Sequence, residues 1–229
     1  MAGILYGIGV GPGDPELMTL KAVRIIRETN VIAVPGKAAD ESVAYQIAVK
    51  AVPELQKKEV IPIYMPMTHD KEEQARNHEK GAKTLETYLR EGIDVAFLTL
   101  GDVSVYSTFT YLQRIVEADG YQTVMVSGVP SFCAAAARVN EPLVIWQEEL
   151  HILPAVHGDG DMFSSRGNYV VMKSGRKMKQ VKELLKEKKY EVAAVENCGM
   201  EGERIYRGAD EIPDGSGYYS LIIAKEHKA

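Results

Sequence analysis

Five short apolar runs, each followed by a stretch of helical periodicity or a glycine turn, constrain this chain more than any other feature. The runs are ILYGIG (4–9), VIAVP (31–35), EVIPIYMP (59–66), DVAFLTLGD (94–102) and YQTVMVSG (121–128). Between them lie LMTLKAVRIIRE, SVAYQIAVKAV, EEQARNHEKGAKTLETYLREG and YSTFTYLQRIVEADG, whose apolar residues recur at helical spacing. In the first of these, Leu17, Leu20, Val23, Ile25 and Ile26 make the stripe, so a helix is expected from about Leu17. Strands separated by helices over this length pair in parallel, because a parallel connection needs a long crossover. The first half is therefore an α/β unit with a parallel sheet.

After SGVP the texture changes. SFCAAAARVN reads as a short small-residue helix, ELHILPAV and NYVVMK as strands, and KMKQVKELLKEK as a basic amphipathic helix. YEVAAVENCG, ERIYRGADEI and YYSLIIAKE add further strand-like runs with short connections. More strands per helix imply a mixed sheet and a second α/β domain. The expected division is 1–127 and 128–229, and 229 residues suffice for two such cores.

The strand-to-helix loop GIGVGPGD (7–14) invites comparison with dinucleotide-binding loops. It fails the G-x-G-x-x-G pattern in both frames: Pro12 or Asp14 stands where the third glycine belongs. Asp14 would also repel a pyrophosphate at the helix start, and no GK[ST] follows to make a Walker loop. A tight turn in which Asp14 and Pro15 begin the next helix is the better reading. Two more loops, LTLGDVSVYST (98–108) and VSGVPSF (126–132), leave strands in the same direction. In a parallel sheet these three loops share the carboxyl edge, where a small molecule can bind. Asp102 alone would read as a helix cap.

Other classes fall away. A formal charge of −5 gives no basic footing for nucleic acid, and no apolar run has bilayer-spanning length. Cys133 and Cys198 are too far apart in sequence to suggest a CxxC pair, and no cluster has metal-ligand spacing. Cys133, within a small-residue helix, reads as a buried hydrophobe. A cytoplasmic protein is expected.

VGPGDPELMTLKA, TLGDVSVYST and GVPSF together resemble the tetrapyrrole methyltransferases that use S-adenosylmethionine. The resemblance continues through MPMTHD, HILPA, VVMKSGR and ENCGMEGERI, covering essentially the whole chain. YSTFTYL, SFCAAAAR and ENCGM are most similar to the precorrin-2 or cobalt-factor-II C20-methyltransferases of cobalamin synthesis. The resemblance implies a homodimer of two-domain chains with the methyl donor in the cleft between the domains. It implies donor contacts at Pro12, Leu100, Gly101, Asp102, Val105, Tyr106, Pro130, Ser131, Met172 and Asn197. The chain departs from the family pattern at Ser127 and Val103, where proline is common.

The donor's sulfonium is already activated, so the chemistry asks mainly for alignment and exclusion of water. His69 and His157 are the loop histidines available to take a proton, though neither has a partner in the sequence to mark it. Any cobalt would arrive inside the substrate. The substrate's carboxylates ask for cations, for which Lys37, Arg138, Arg166, Lys173 and Arg176 are candidates near loops. The basic helix around Val181, Leu184 and Leu185 reads instead as one packed side and one solvated face. A same-fold methyltransferase acting at another corrin position or on a protein side chain, and a non-enzymatic nucleotide-binding module, are the competing readings.

Overall fold

A computed structural model describes residues 1–66, 68, 70–155 and 162–226. The chain divides into two compact units, Met1–Pro130 and Ser131–Ala229.

In the first unit, β1 (Ile4–Gly9), β2 (Val31–Pro35), β3 (Glu59–Ile63), β4 (Val95–Thr99) and β5 (Gln122–Val126) form one parallel sheet in the order β3-β2-β4-β1-β5. The crossovers carry α1 (Leu20–Glu28), α2 (Val43–Ala51), α3 (Lys71–Arg90) and α4 (Phe109–Ala118). Alternate strand residues divide between two cores, as the two-residue period of a strand requires. Ile32, Val34, Ala96 and Leu98 pack with Ile25, Ile26 and Ile47 of α1 and α2, while Val31, Ala33, Val95 and Phe97 pack with Leu85, Leu89, Phe109 and Leu112 of α3 and α4. Burial on both faces is why these strands read as continuous apolar runs.

The first helix departs from expectation. Pro15–Leu17 is a separate 3-10 turn capped by Asp14, whose carboxylate accepts from Glu16 N. Met18 is extended, and α1 starts only after Thr19, whose hydroxyl accepts from Ala22 N. Leu20 is consequently 89% exposed, and the buried stripe is Ala22, Ile25 and Ile26. Spacing alone could not separate a helix from a turn followed by a new cap. The helix expected from Tyr106 likewise begins three residues later, because Tyr106 takes the left-handed conformation (φ 48°), which a helix cannot pass through.

In the second unit, β6 (Leu150–Pro154), β7 (Asn168–Met172), β8 (Glu191–Glu196), β9 (Arg204–Arg207) and β10 (Ser220–Lys225) form a mixed sheet ordered β6-β7-β10-β8-β9. β6 and β7 are parallel, and the other pairs are antiparallel. Among the described residues, two α-helices accompany this sheet, α5 (Ser131–Val139) and α6 (Met178–Glu187). Helix α5 packs against β8 and β10 through Phe132, Ala134, Ala135, Ala136 and Val139. Helix α6 buries Met178, Val181 and Leu185. Two of its lysines are engaged locally: Lys182 donates to Ile212 O (2.5 Å) and Asp214 (2.7 Å), and Lys186 pairs with Asp210.

Candidate functional site

β4, β1 and β5 are neighbours in the first sheet, so their carboxyl-terminal loops lie side by side. The backbones of those loops touch. Gly11 N donates to Gly101 O (3.1 Å) and Gly101 N to Gly11 O (2.8 Å), with both glycines at positive φ (76° and 74°). A Cβ on Gly9 would stand 2.6 Å from Gly128 N and 2.7 Å from Gly101 O. On Gly128 it would stand 2.2 Å from Gly101 O and 2.7 Å from Gly9 C and O. Gly9 and Gly11 of the opening loop therefore serve backbone contact between loops, which only a residue without a side chain permits.

Asp102 ties two of these loops. It is 7% exposed. Its Oδ1 accepts from Ser104 N (2.8 Å) and from the Ser104 hydroxyl, and its Oδ2 accepts from Gly128 N (2.9 Å) across to the β5 loop. Burial alone would raise its pKa, but the Ser104 hydroxyl, the Ser104 amide and the Gly128 amide outweigh this and hold it below the ordinary value. It is not a helix cap; α4 starts after Thr108. Three of the roughly four lone-pair positions of a carboxylate are taken, leaving about one, on Oδ2, for anything else. A second tie runs from the Thr19 hydroxyl, which donates to Ser127 O (3.2 Å).

Around this knot Pro12 is buried, Leu100, Val105 and Pro130 are half-buried, and Tyr106 is 46% exposed. Ser131 opens α5 in the second unit.

Met172 and Asn197 belong to the second unit. Met172 ends β7 opposite Leu221, and Asn197 follows Glu196, which pairs with Ser220; both thus lie at one edge of that sheet. Asn197 takes a positive φ of 54° and donates its N–H to Tyr219 O (3.2 Å). Tyr106 and Asn197 both take positive φ, as do Asn140, Trp146, Lys173 and Lys189.

The basic candidates separate. Arg138 grips Glu203 through Nε (2.9 and 3.1 Å) and Nη2, and Arg166 stands 4.0 Å from Glu226. Lys173 lies over the Tyr218 ring (5.8 Å) and Lys37 over the Tyr64 ring (5.4 Å). Lys37 is exposed on the loop after β2, at the carboxyl edge of the first sheet. His69, His157 and the Arg176 side chain lie outside the described residues. Cys133 is exposed, contrary to the expectation of burial: it points away from the face of α5 that carries Phe132, Ala135, Ala136 and Val139. Partial burial nonetheless pushes its thiol pKa up, which keeps it a poor nucleophile.

Sequence reasoning missed Ser104, Gly128 and Glu203. The Asp102-x-Ser104 spacing is that of a turn closed by an aspartate side chain, and could have pointed to Ser104. No local signal joins Asp102 to Gly128, or Arg138 to Glu203.

Residues 4–211 match the family model for tetrapyrrole (corrin/porphyrin) methylases. The chain is 32% identical over 228 residues to a probable cobalt-precorrin-2 C(20)-methyltransferase of Methanocaldococcus jannaschii, covering 98% of this chain and 96% of the relative. It is 28% identical over 234 residues to the cobalt-precorrin-2 C(20)-methyltransferase of Salmonella typhimurium, covering 99% and 98%. The fold matches that of a uroporphyrin-III C-methyltransferase from Thermus thermophilus solved with S-adenosylhomocysteine, with a TM-score of 0.71 and 22% identity, over 98% of this chain and 92% of that one.

Proposed function

Because this chain belongs to the tetrapyrrole (corrin/porphyrin) methylases, we propose that it transfers the methyl group of S-adenosylmethionine to C20 of precorrin-2 or cobalt-factor II, in cobalamin biosynthesis. The observation that carries the proposal is similarity along nearly the whole chain to relatives named for C20 methylation. The methyl group passes from the sulfonium to the meso carbon, which then loses its proton; the sulfur keeps the electron pair of the broken bond. The protein's contribution is to hold donor and acceptor in line and keep water out.

We assign the donor to Pro12, Leu100, Gly101, Val105, Tyr106, Pro130 and Ser131 in and beside the glycine knot, with Met172 and Asn197 as further contacts. Asp102 serves the donor chiefly by fixing the loops, and its remaining lone pair on Oδ2 is the part it can offer directly. S-adenosylhomocysteine is the expected product. The protein is read as a cytoplasmic homodimer, as the family resemblance implies; among the described residues no helix is long and apolar enough to cross a membrane.

The test is methylation of precorrin-2 and cobalt-factor II side by side with labelled donor, the product position being read by NMR. Label at C20 supports the proposal, and the faster substrate decides whether cobalt precedes methylation. Label at another carbon, or donor binding with no transfer to either compound, rejects the C20 assignment.

Lys37 is assigned to a substrate carboxylate. An exposed ion pair of this kind contributes up to about 1 kcal/mol, or about fivefold in affinity. Lys37→Ala should raise KM for the tetrapyrrole by about that factor and leave S-adenosylhomocysteine affinity unchanged in calorimetry. An unchanged KM removes the assignment.

A further inference from the structure

Two of the stretches that carry the C20-like resemblance, SFCAAAAR and ENCGM, are joined in the folded second unit. Arg138 closes the first. Its guanidinium holds both carboxylate oxygens of Glu203, through Nε (2.9 and 3.1 Å) and Nη2. Glu203 Oε2 in turn accepts from Gly199 N (2.6 Å), inside the turn that follows Asn197. That turn is closed from within as well: Met200 N donates to Asn197 O (2.8 Å), Glu203 N to Met200 O (3.3 Å) and Asn197 Nδ2 to Gly202 O (3.4 Å). Asn197 itself takes φ 54°, a left-handed conformation that asparagine tolerates in turns. The Glu203 side chain is 15% exposed and that of Arg138 57%, so the carboxylate is shielded while the guanidinium keeps an open side to solvent. The Arg138 guanidinium and the Gly199 amide hold its carboxyl below the ordinary value against the opposing effect of burial.

We propose that Arg138 is a positioning residue: through Glu203 it locks the 197–203 turn and so fixes Asn197 for the methyl donor. This rests on the donor assignment above. It also gives Arg138 a role other than holding a substrate carboxylate, because the Nε–Nη2 edge of its guanidinium is already matched to Glu203.

Helix α5 has an independent anchor. Arg207 donates through Nη1 to Glu141 (3.1 Å) and through Nη2 to Val139 O (3.1 Å), at the helix's carboxyl end. Arg138 variants therefore keep α5 docked while freeing the turn, and Arg207→Ala provides the converse control.

The experiment compares Arg138→Ala, Arg138→Lys, Glu203→Gln and Arg207→Ala with the parent protein. The readouts are S-adenosylhomocysteine affinity, kcat and KM on the preferred tetrapyrrole, thermal stability, and hydrogen exchange of the amides at 199–203. Misplacing a reacting group by about 1 Å can cost on the order of 100-fold in rate, so Arg138→Ala should lower kcat/KM by about 10- to 100-fold with donor affinity falling alongside. Exchange at 199–203 should rise. Arg138→Lys should recover part of the loss, and Glu203→Gln should resemble Arg138→Ala. Arg207→Ala should lose stability with donor affinity kept.

Donor affinity that stays at the parent value in Arg138→Ala, or that falls only in proportion to stability in both arginine variants, overturns the proposal. A parent protein that binds the donor but methylates neither tetrapyrrole rejects the substrate assignment alone, and the clamp is then decided by affinity and exchange. A parent protein that binds no donor overturns both.

Discussion

Gly128→Ala should bind S-adenosylhomocysteine about 100-fold more weakly than the parent protein, a loss of about 3 kcal/mol. The added Cβ would lie 2.2 Å from the Gly101 carbonyl oxygen and 2.7 Å from Gly9 C and O. All three obstacles are backbone, so no rotamer change relieves the clash. One of the loops must move. Overpacking at a close contact costs about 1–3 kcal/mol. Moving the β5 loop also breaks the bond from Gly128 N to Asp102 Oδ2. The loss should appear in the thermal transition as well as in calorimetric titration with S-adenosylhomocysteine. Gly215→Ala is the matched control, because a Cβ there meets nothing within 4 Å and the residue has no positive φ. If Gly128→Ala binds as tightly as the control, the glycine knot does not shape the donor site.

Asp102→Ala has the second large effect. It leaves Ser104 N, the Ser104 hydroxyl and Gly128 N without their acceptor. A buried donor left unsatisfied costs about 1–3 kcal/mol. Ser104 is exposed and can turn to water, so the cost concentrates at Gly128 and should total about 2–3 kcal/mol. Asp102→Asn keeps an oxygen for Ser104 but turns an amide nitrogen toward Gly128 N, and should fall between parent and alanine. Donor affinity should follow the same order. Donor affinity equal to the parent's in both variants would show that neither the tie nor the carboxylate serves the donor.

The pH dependence has a definite sign. The folded pKa of Asp102 lies below its ordinary 3.8, so its stabilising contribution is complete above 3.8 and is lost as pH falls from there through the folded value. The stability gap between parent and Asp102→Asn should stay constant between about pH 5 and 8 and narrow below 3.8. A gap that changes near neutrality would mean another group controls the loops.

Much of this molecule was legible in one dimension. The five apolar runs of the first half became the five parallel strands; the central β2 and β4, buried on both faces, lack polar alternation for that reason. Asp14 and Pro15 begin a helical turn, as the reading of the opening loop as a tight turn expected. The basic stretch after Lys177 proved to be a helix packed on one side, as Val181 and Leu185 required. The local motifs also led to the family that the comparisons report.

Periodicity records which residues are buried, but not against what. It could not show that Leu20 lies outside the stripe it resembles, because the break at Met18 and the new cap at Thr19 leave the apolar spacing unchanged. Nor could it show that Cys133 sits on the outer face of α5, for in a run of small residues many faces look alike.

The sequence by itself determined the parallel sheet, the three loops at its carboxyl edge and the family they belong to, because these depend on short-range spacing and side-chain chemistry. Only the tertiary structure decided what the key polar residues do. Strand order brings the β1, β4 and β5 loops together, so the glycines meet one another and Asp102 reaches Gly128, 26 residues away. Arg138 reaches Glu203 across 65 residues because α5 packs beside β8. A side-chain hydrogen bond between distant segments has no period along the chain, so its partner is known only once the fold has placed it.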